Sequence, residues 1–316
     1  MRRILIVLVL YVAAQGYAYS CDSLVVVFWN MENFFDHTDE GGGEADKEFS
    51  SGGSRHWTGK RFYAKCDAVA KSIVWMGDKY GRMPDYIGLA EIENRNVLHK
   101  LLKNTILRKF DYRIIHFDSS DRRGIDVAVL YRESSMTPES VTLKVPEYDG
   151  RELSTRDILH SRMVLSDGRS IDFIVNHHPS KFGGEGESSG RRYAVMRTLK
   201  MLCDSLGNSK VVAMGDFNDT PDGEAFMMMK DSLVNKGMDL HLRGEGSIRY
   251  EGRWELIDMF LVSPQLDDVT EMEVCRMPFH IVRERKHPGE KPFRTYSGPR
   301  YIGGISDHFP IVLRIF

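Results

Sequence analysis

The sequence predicts an α/β fold in which layers of sheet and helix build one domain, and three observations carry the prediction. Apolar runs of strand length, rich in Val and Ile and bounded by Gly, Asp or Asn, recur along the 316 residues. Between some of them lie amphipathic stretches with apolar residues at i, i+3, i+4 and i+7. No linker or internal repeat divides the chain, and α/β folds of this length often form one unit.

The first twenty residues read as a leader, outside the fold. Arg2 and Arg3 form a positive region, residues 4–14 an apolar one, and Gly16-Tyr17-Ala18 a small-x-small cleavage site. That run is shorter than the roughly 20 residues a membrane span needs, and no other stretch is long enough. The expectation is a signal peptide at 1–20 and a mature domain at 22–316, exported to the periplasm or the medium, with no transmembrane span. Ala18-Tyr19-Ser20-Cys21 also resembles a lipobox that would anchor Cys21, although Tyr19 is bulky for that position.

Residues 24–28 make the first strand. Phe62, Cys66, Val69, Ile73 and Met76 mark a helix, residues 86–90 a second strand, and Val97, Leu98, Leu101, Leu102 and Ile106 a second helix. Strands at 112–116, 125–131 and 171–175 follow. Val195, Met196, Leu199, Leu202, Cys203 and Leu206 mark a third helix, and strands at 211–214, 257–262 and 311–315 complete the set. These apolar residues are expected in the core. Long loops, Gly/Ser-rich at 41–54 and 183–190 and aperiodic at 277–303, are where binding is expected.

Charge argues against a bulk nucleic-acid binder. The chain carries −2, and without Arg2 and Arg3 its 43 basic residues fall to 41 against 45 acidic, a charge of −4. The loop 36–48 is acidic, whereas residues 276–300 hold seven Lys or Arg against Glu284 and Glu290. A local basic face of this kind can meet a polyanion. Cys21, Cys66, Cys203 and Cys275 show no CxxC pair, which argues against zinc fingers and redox motifs; an oxidising compartment would allow a disulfide among them.

Four segments put Asn, Asp or Glu directly beside runs that want burial: Trp29-Asn30-Met31-Glu32-Asn33, Leu89-Ala90-Glu91-Ile92-Glu93-Asn94, Met214-Gly215-Asp216-Phe217-Asn218-Asp219 and Ser306-Asp307-His308-Phe309-Pro310. Strand ends that carry such side chains build active sites. Carboxylate and amide oxygens without thiolates suit Mg²⁺, Mn²⁺ or Ca²⁺ better than zinc. Glu91 is the expected primary ligand, with Asn30, Glu32 and Asp307 beside it. Asp216 and Asn218, two apart after a strand, suit holding a water and a phosphate oxygen. His177 and His308 bring proton donors near neutral pH, and an acid such as Asp258 would fix one imidazole's tautomer. These are the parts of phosphoester hydrolysis.

In order along the chain, these segments resemble the endonuclease/exonuclease/phosphatase superfamily. Gly124-Ile125-Asp126-Val127-Ala128-Val129-Leu130-Tyr131, Val175-Asn176-His177-His178-Pro179-Ser180-Lys181, Gly215-Asp216-Phe217-Asn218 and Glu255-Leu256-Ile257-Asp258-Met259 are similar to further motifs of that group. Glu32 stands where many members have Asp. The resemblance implies a four-layer α-β-β-α sandwich of two packed mixed sheets flanked by helices. It implies Mg²⁺ or Mn²⁺ at Glu91, Asn30, Glu32 and Asp307, with Ca²⁺ as a second ion. It implies that Asp216, beside Asn218, activates water, and that His177 and His308, the latter held by Asp258, stabilise the transition state.

Arg122 and Arg123 precede a motif strand and Arg191 and Arg192 open the third helix, so both pairs are candidates for phosphate contacts through their planar forks. His178 should face away from His177, at the surface or behind the site. Glu93 is expected behind the site or capping a helix, Asp219 capping a turn, and Asn33 and Asp126 in structural hydrogen bonds. His37, His56, His99 and His116 are ordinary surface or packing residues on this reading, and Trp57 and Trp254 pack in the core. The substrate class comes out as nucleic acid, DNA or RNA, handled by a monomer with no protein partner evident. A phosphodiesterase or phosphatase for small or lipid substrates is the alternative. A binding protein on a dead catalytic fold is disfavoured, because no central position is lost.

Overall fold

A computed structural model describes residues 23–38, 43–181 and 185–316, with only the backbone of 185–187. The leader at 1–20, the Cys21 anchor and part of the acidic loop lie outside the described residues. The sheet strands in chain order are β1 Leu24–Phe34, β2 Tyr86–Ile92, β3 Tyr112–His116, β4 Asp126–Arg132, β5 Met136–Lys144, β6 Ile158–Leu165, β7 Ser170–His177, β8 Val211–Asp216, β9 Val234–Asn235, β10 Asp258–Val262, β11 Thr270–Val274 and β12 Ile311–Ile315. Three helices dominate: α1 Gly59–Lys79, α2 Arg95–Asn104 and α3 Glu185–Ser205.

Two mixed six-stranded sheets result, ordered β11-β12-β1-β2-β4-β3 and β9-β10-β8-β7-β6-β5. Each is built around one parallel pair, β1 with β2 and β7 with β8. A parallel pair needs a crossover, and α1 and α3 supply it. Alternation along β1 divides its side chains between two layers. Val26 and Phe28 enter the core that also holds Phe173 and Met214 of the second sheet, while Val25, Val27 and Trp29 pack with Phe62, Val69 and Leu98 of α1 and α2. The layers therefore run helix, sheet, sheet, helix. Between the sheets the Tyr86 and Phe173 rings stack at 4.2 Å, and the Tyr86 hydroxyl bonds Ser161 Oγ at 2.9 Å.

All eight expected strands and all three helices are present, and Trp57 and Trp254 pack as expected, Trp57 fully buried and Trp254 stacked on Phe309 at 5.7 Å. Four strands escaped the reading for physical reasons, β9 because two residues are too few to show a pattern. β5 and β11 lie at sheet edges and show water polar faces, with Pro138 at a register shift in β5, and β6 is interrupted by His160, Ser161 and Arg162. The aperiodic stretch 277–303 is not plain loop: Ile281–Glu284 pairs with Gly289–Pro292, and Tyr296–Ser297 with Arg300–Tyr301. Cys66, Cys203 and Cys275 are free and buried, so no disulfide joins these three. Among the described residues, no helix is long and apolar enough to cross a membrane.

Candidate active site

The strand ends bring the polar segments to one end of the paired sheets. Asn30 and Glu32 lie near the end of β1, Glu91 in β2, His177 and Asp216 at the ends of β7 and β8, and Asp258 at the start of β10, while Asp307 and His308 precede β12. Register sets Asp216 opposite His177 on one side and Asp258 on the other. Asn30, Glu32, Glu91, His177, Asp216, Asn218, Asp307 and His308 all line a cleft of about 420 Å³, and Asp258 is fully buried behind His308.

Ordinary strands would not aim these side chains together. The pairing of β1 with β2 is interrupted between Asn30 and Phe34, and that of β2 with β4 between Ala90 and Ile92. At these irregularities Glu32, Asn33 and Glu91 take φ of 47°, 50° and 60°, and Asn218 takes 50° after β8. Left-handed backbone costs an L residue ~1–2 kcal/mol, a strain that accumulates at functional sites. Here it breaks strand alternation and turns Glu32 and Glu91 into the cleft. Gly215 is forced for a different reason, since a Cβ there would stand 2.3 Å from the Asn176 carbonyl oxygen.

At one end of the cleft sits a histidine-carboxylate chain. His308 Nδ1 bonds Asp258 Oδ2 at 2.7 Å, its amide donates to Ser306 Oγ at 3.0 Å, and Trp29 Nε1 donates to its carbonyl at 2.8 Å. Burial opposes charging this imidazole, but Asp258, then Asp216 and Asp307, outweigh it and raise its pKa well above the usual histidine value. Asp216 Oδ2 accepts from Asn30 Nδ2 at 3.0 Å and Oδ1 accepts from the Asn218 amide at 2.9 Å. His177 Nε2 and His308 Nε2 stand 3.6 and 4.0 Å from Asp216 Oδ2. Burial, then Asp258, push the Asp216 carboxyl up to about 7. His177 stays neutral: burial, then Arg156 and Arg123, hold its pKa well below the usual value.

The other end is acidic. Glu32 accepts from the Thr295 amide at 2.6 Å, and Arg294 bridges Glu32 Oε1 at 3.3 Å to Asp307 Oδ2 at 3.0 Å. Glu91 Oε2 accepts from the Asn33 amide at 2.7 Å, and Arg123 lies 3.4 Å away. Burial and then Asp307 push Glu32 up to about 7, whereas for Glu91 burial is outweighed by Arg123 and the Asn33 amide, which keep it ionised. Crowded hard oxygens without thiolate fit Mg²⁺, Mn²⁺ or Ca²⁺, and the repulsion between Glu32 and Asp307 is what a bound cation relieves. Asp216, Asp258 and His308 also lie within ligand spacing, but they already bond one another, Asn30 and Asn218. The acidic end is the better cation site.

Two of the four proposed phosphate-binding arginines are placed elsewhere. Arg123 and Arg191 line the cleft. Arg122 is exposed outside the lining, because the turn held by Arg123 presents it outward; Arg192 is buried and donates to Ser188 Oγ at 3.2 Å. Of its two expected places His178 takes the one behind the site: it is buried, its amide donates to the Asp216 carbonyl at 2.8 Å and its ring packs on Phe217 at 5.0 Å. Glu93 braces the Asp36 amide at 2.6 Å, and Asn94 is the cap of α2. Asn33 serves the site itself, its Oδ1 accepting from Arg123 at 2.5 Å. Sequence reasoning missed Arg156, which lines the cleft and donates to Asp121 at 3.0 Å and to the His178 carbonyl at 2.5 Å. It also missed buried Lys65, whose Nζ donates to the Glu32 carbonyl at 2.7 Å. No motif marks either residue; only the fold brings them in.

Residues 25–316 match the model of the Endonuclease/Exonuclease/phosphatase family. The fold is similar to the human Nocturnin catalytic domain with bound sulfate anion, at 13% identity and TM-score 0.57 over 92% of this chain and 93% of that one. It is similar to a Bacteroides thetaiotaomicron mannosyl-6-phosphatase, at 16% identity and TM-score 0.55 over 93% and 100%. D. rerio TDP2 complexed with single strand DNA product matches at 13% identity and TM-score 0.52 over 93% and 98%. At these identities the likeness is one of fold. No curated protein matches the sequence.

Proposed function

The chain belongs to the endonuclease/exonuclease/phosphatase family, and on that premise we propose that it is an exported, divalent-metal-dependent phosphodiester hydrolase acting on nucleic-acid strands. Members of the family are hydrolases of phosphoric esters and typically use a divalent metal. The observation that carries the substrate reading is the convergence of Arg123, Arg156 and Arg191 on one cleft beside Asp216 and His308. Three guanidinium groups exceed what one scissile phosphate needs and suit a strand with flanking phosphates. The basic stretch 276–300 gives less support, since Arg276 stacks on Trp254 and Lys291 pairs with Glu284.

Glu91, Glu32 and Asp307, with Asn30 beside them, would hold the metal, which when bound supplies positive charge against a phosphate oxygen. Asp216, poised near neutrality and fixed by Asn30 and Asn218, takes a proton from the attacking water. As the water oxygen bonds phosphorus, the bond to the leaving oxygen breaks and that oxygen takes a proton from solvent, to which Asp216 returns the one it accepted. Charge grows on the non-bridging oxygens. His308, held as imidazolium by Asp258, and neutral His177, as an N–H donor, stabilise it; such preorganised donors usually make the largest catalytic contribution. Export through residues 1–20 belongs to the same reading.

The test uses protein from residue 22 onward with supercoiled plasmid, single-stranded DNA and RNA, in Mg²⁺ or Mn²⁺ and again in EDTA. A Glu91→Ala, His308→Ala double variant controls for contaminants. Metal-dependent cleavage absent from the variant is expected. If both proteins leave every strand intact while the wild type releases phosphate from sugar or inositol phosphates, the substrate is a small phosphoester and the nuclease reading falls.

A further inference from the structure

The loop that carries Asp121 and Arg123 to the cleft has a second group of ligating side chains at its stem. His116 ends β3, Asp126 begins β4, and Asp118 stands two residues beyond His116. A ligand atom from each lies within 4.8 Å of the other two. His116 is buried as a packing residue would be, its side chain only 2% exposed, but its Nε2 makes no hydrogen bond. A buried imidazole nitrogen left without a hydrogen bond costs ~1–3 kcal/mol. The facing carboxylate is itself committed on one side, Asp126 Oδ1 accepting from the Ser119 amide at 2.8 Å.

The spacing between His116 and Asp126 fits a coordination shell. His116 Nε2 stands 3.3 Å from Asp126 Oδ2. Tetrahedral Zn²⁺ with bonds of about 2.0–2.2 Å puts neighbouring ligand atoms about 3.3–3.5 Å apart. Asp118, with 87% of its side chain exposed, stands nearest the other ring nitrogen, its Oδ1 4.0 Å from His116 Nδ1, so it completes the shell by turning its carboxylate toward the Nε2 side, within the 4.8 Å that groups the three ligand atoms, and leaves one position to water. An imidazole among the donors separates this group from the all-oxygen cluster in the cleft and favours a transition metal over Mg²⁺ or Ca²⁺.

We propose that His116, Asp118 and Asp126 bind Zn²⁺, and that the ion clamps together the two ends of the loop 117–125. The clamp has a consequence for the cleft. Asp121 Oδ2 holds Arg156 Nη1 at 3.0 Å, and Arg123 reaches Glu91, so tightening the stem fixes two of the three cleft arginines. The site is positional and takes no part in bond breaking.

Binding is measured with Co²⁺ as the spectroscopic substitute for Zn²⁺, in a Glu91→Gln background that weakens the cleft site and makes the result independent of hydrolysis. One Co²⁺ with visible absorption and imidazole nitrogen coupling in pulsed electron paramagnetic resonance is expected, displaced by Zn²⁺. Adding Asp118→Asn, an exposed change that keeps the fold by circular dichroism, should weaken it at least tenfold, and adding His116→Gln should abolish the nitrogen coupling. Identical affinity with and without Asp118→Asn overturns the proposal, as does bound Co²⁺ that shows no imidazole nitrogen.

Discussion

Asn30 Nδ2 donates to Asp216 Oδ2 at 3.0 Å, and through this bond residues 186 positions apart join the two sheets at the floor of the cleft. The bond also opposes the upward push that burial and Asp258 exert on the Asp216 carboxyl. Asn30→Ala should therefore raise the Asp216 pKa above its value of about 7. A base works only when deprotonated, so the acidic limb of the kcat/KM profile should move to higher pH, with about 10- to 100-fold lower kcat at pH 7. A pH series on a chromogenic phosphodiester checks this, and an unshifted limb would remove Asp216 from the role of base.

Asp258 makes its prediction through His308. With Asp258→Asn the imidazole loses the 2.7 Å partner that keeps it charged despite burial. By analogy with the histidine of a catalytic triad, kcat should fall about 10³- to 10⁴-fold. Because a histidine with a lowered pKa gives up its proton earlier, the alkaline limb of the variant should move to lower pH. Rate profiles at saturating substrate separate this from a binding defect.

His280 contributes to acid stability, together with the buried His177 and His178, whose pKa values burial also lowers. It is buried between Trp29 and Phe309, and its Nε2 donates to the Ser306 carbonyl at 2.8 Å. Burial, against the pull of that hydrogen bond and of Asp307, lowers its pKa to about 4. The unfolded chain then binds more protons than the folded one between about pH 6.5 and 4, so stability falls as pH falls through that window. Its size is about 3 kcal/mol for a single group. His280→Gln should be less stable at pH 8 but show a visibly flatter loss on acidification, measured by urea unfolding at pH 8, 6 and 4.5.

Phe173 tests the interface between sheets. Its ring stacks on Tyr86 at 4.2 Å and it is fully buried. Phe173→Ala should cost about 3–5 kcal/mol, and Phe173→Leu markedly less, by denaturant midpoint.

What was legible follows from where the information sits. Central strands announced themselves because both faces are buried, as in β8, where Val211 to Met214 are all apolar. The edge strands β5 and β11 did not, because each shows water a face that reads as loop, whereas the edge strand β3 was legible from its apolar run Ile114-Ile115. In the cleft, Asp216 and His308 were marked by local motifs beside their strands. Arg294 gave no such sign: it meets Glu32 from 262 positions away, and the meeting exists only once β1 and the hairpin at 296–301 are folded together. The outward turn of Arg122 was equally unreadable, since adjacent residues in a loop carry no alternation rule.

The left-handed residues divide the molecule into two kinds of strain with different prospects under selection for heat resistance. Among the described residues seven other than glycine have positive φ, and besides Glu32, Asn33, Glu91 and Asn218 they are His56, Asp149 and Glu251. Asp149-Gly150 and Glu251-Gly252 each close a two-residue hairpin, with φ of 51° and 72° in the first and 47° and 83° in the second. Asn is the favoured partner of Gly in such turns, so Glu251→Asn is a thermostabilising change with no cost to chemistry. The same relief applied to Glu32 or Glu91 would remove the carboxylates that define the cleft. Laboratory evolution toward a hotter enzyme should therefore accumulate at the hairpin tips and leave the strained strand ends untouched, a partition that sequencing of selected variants would display.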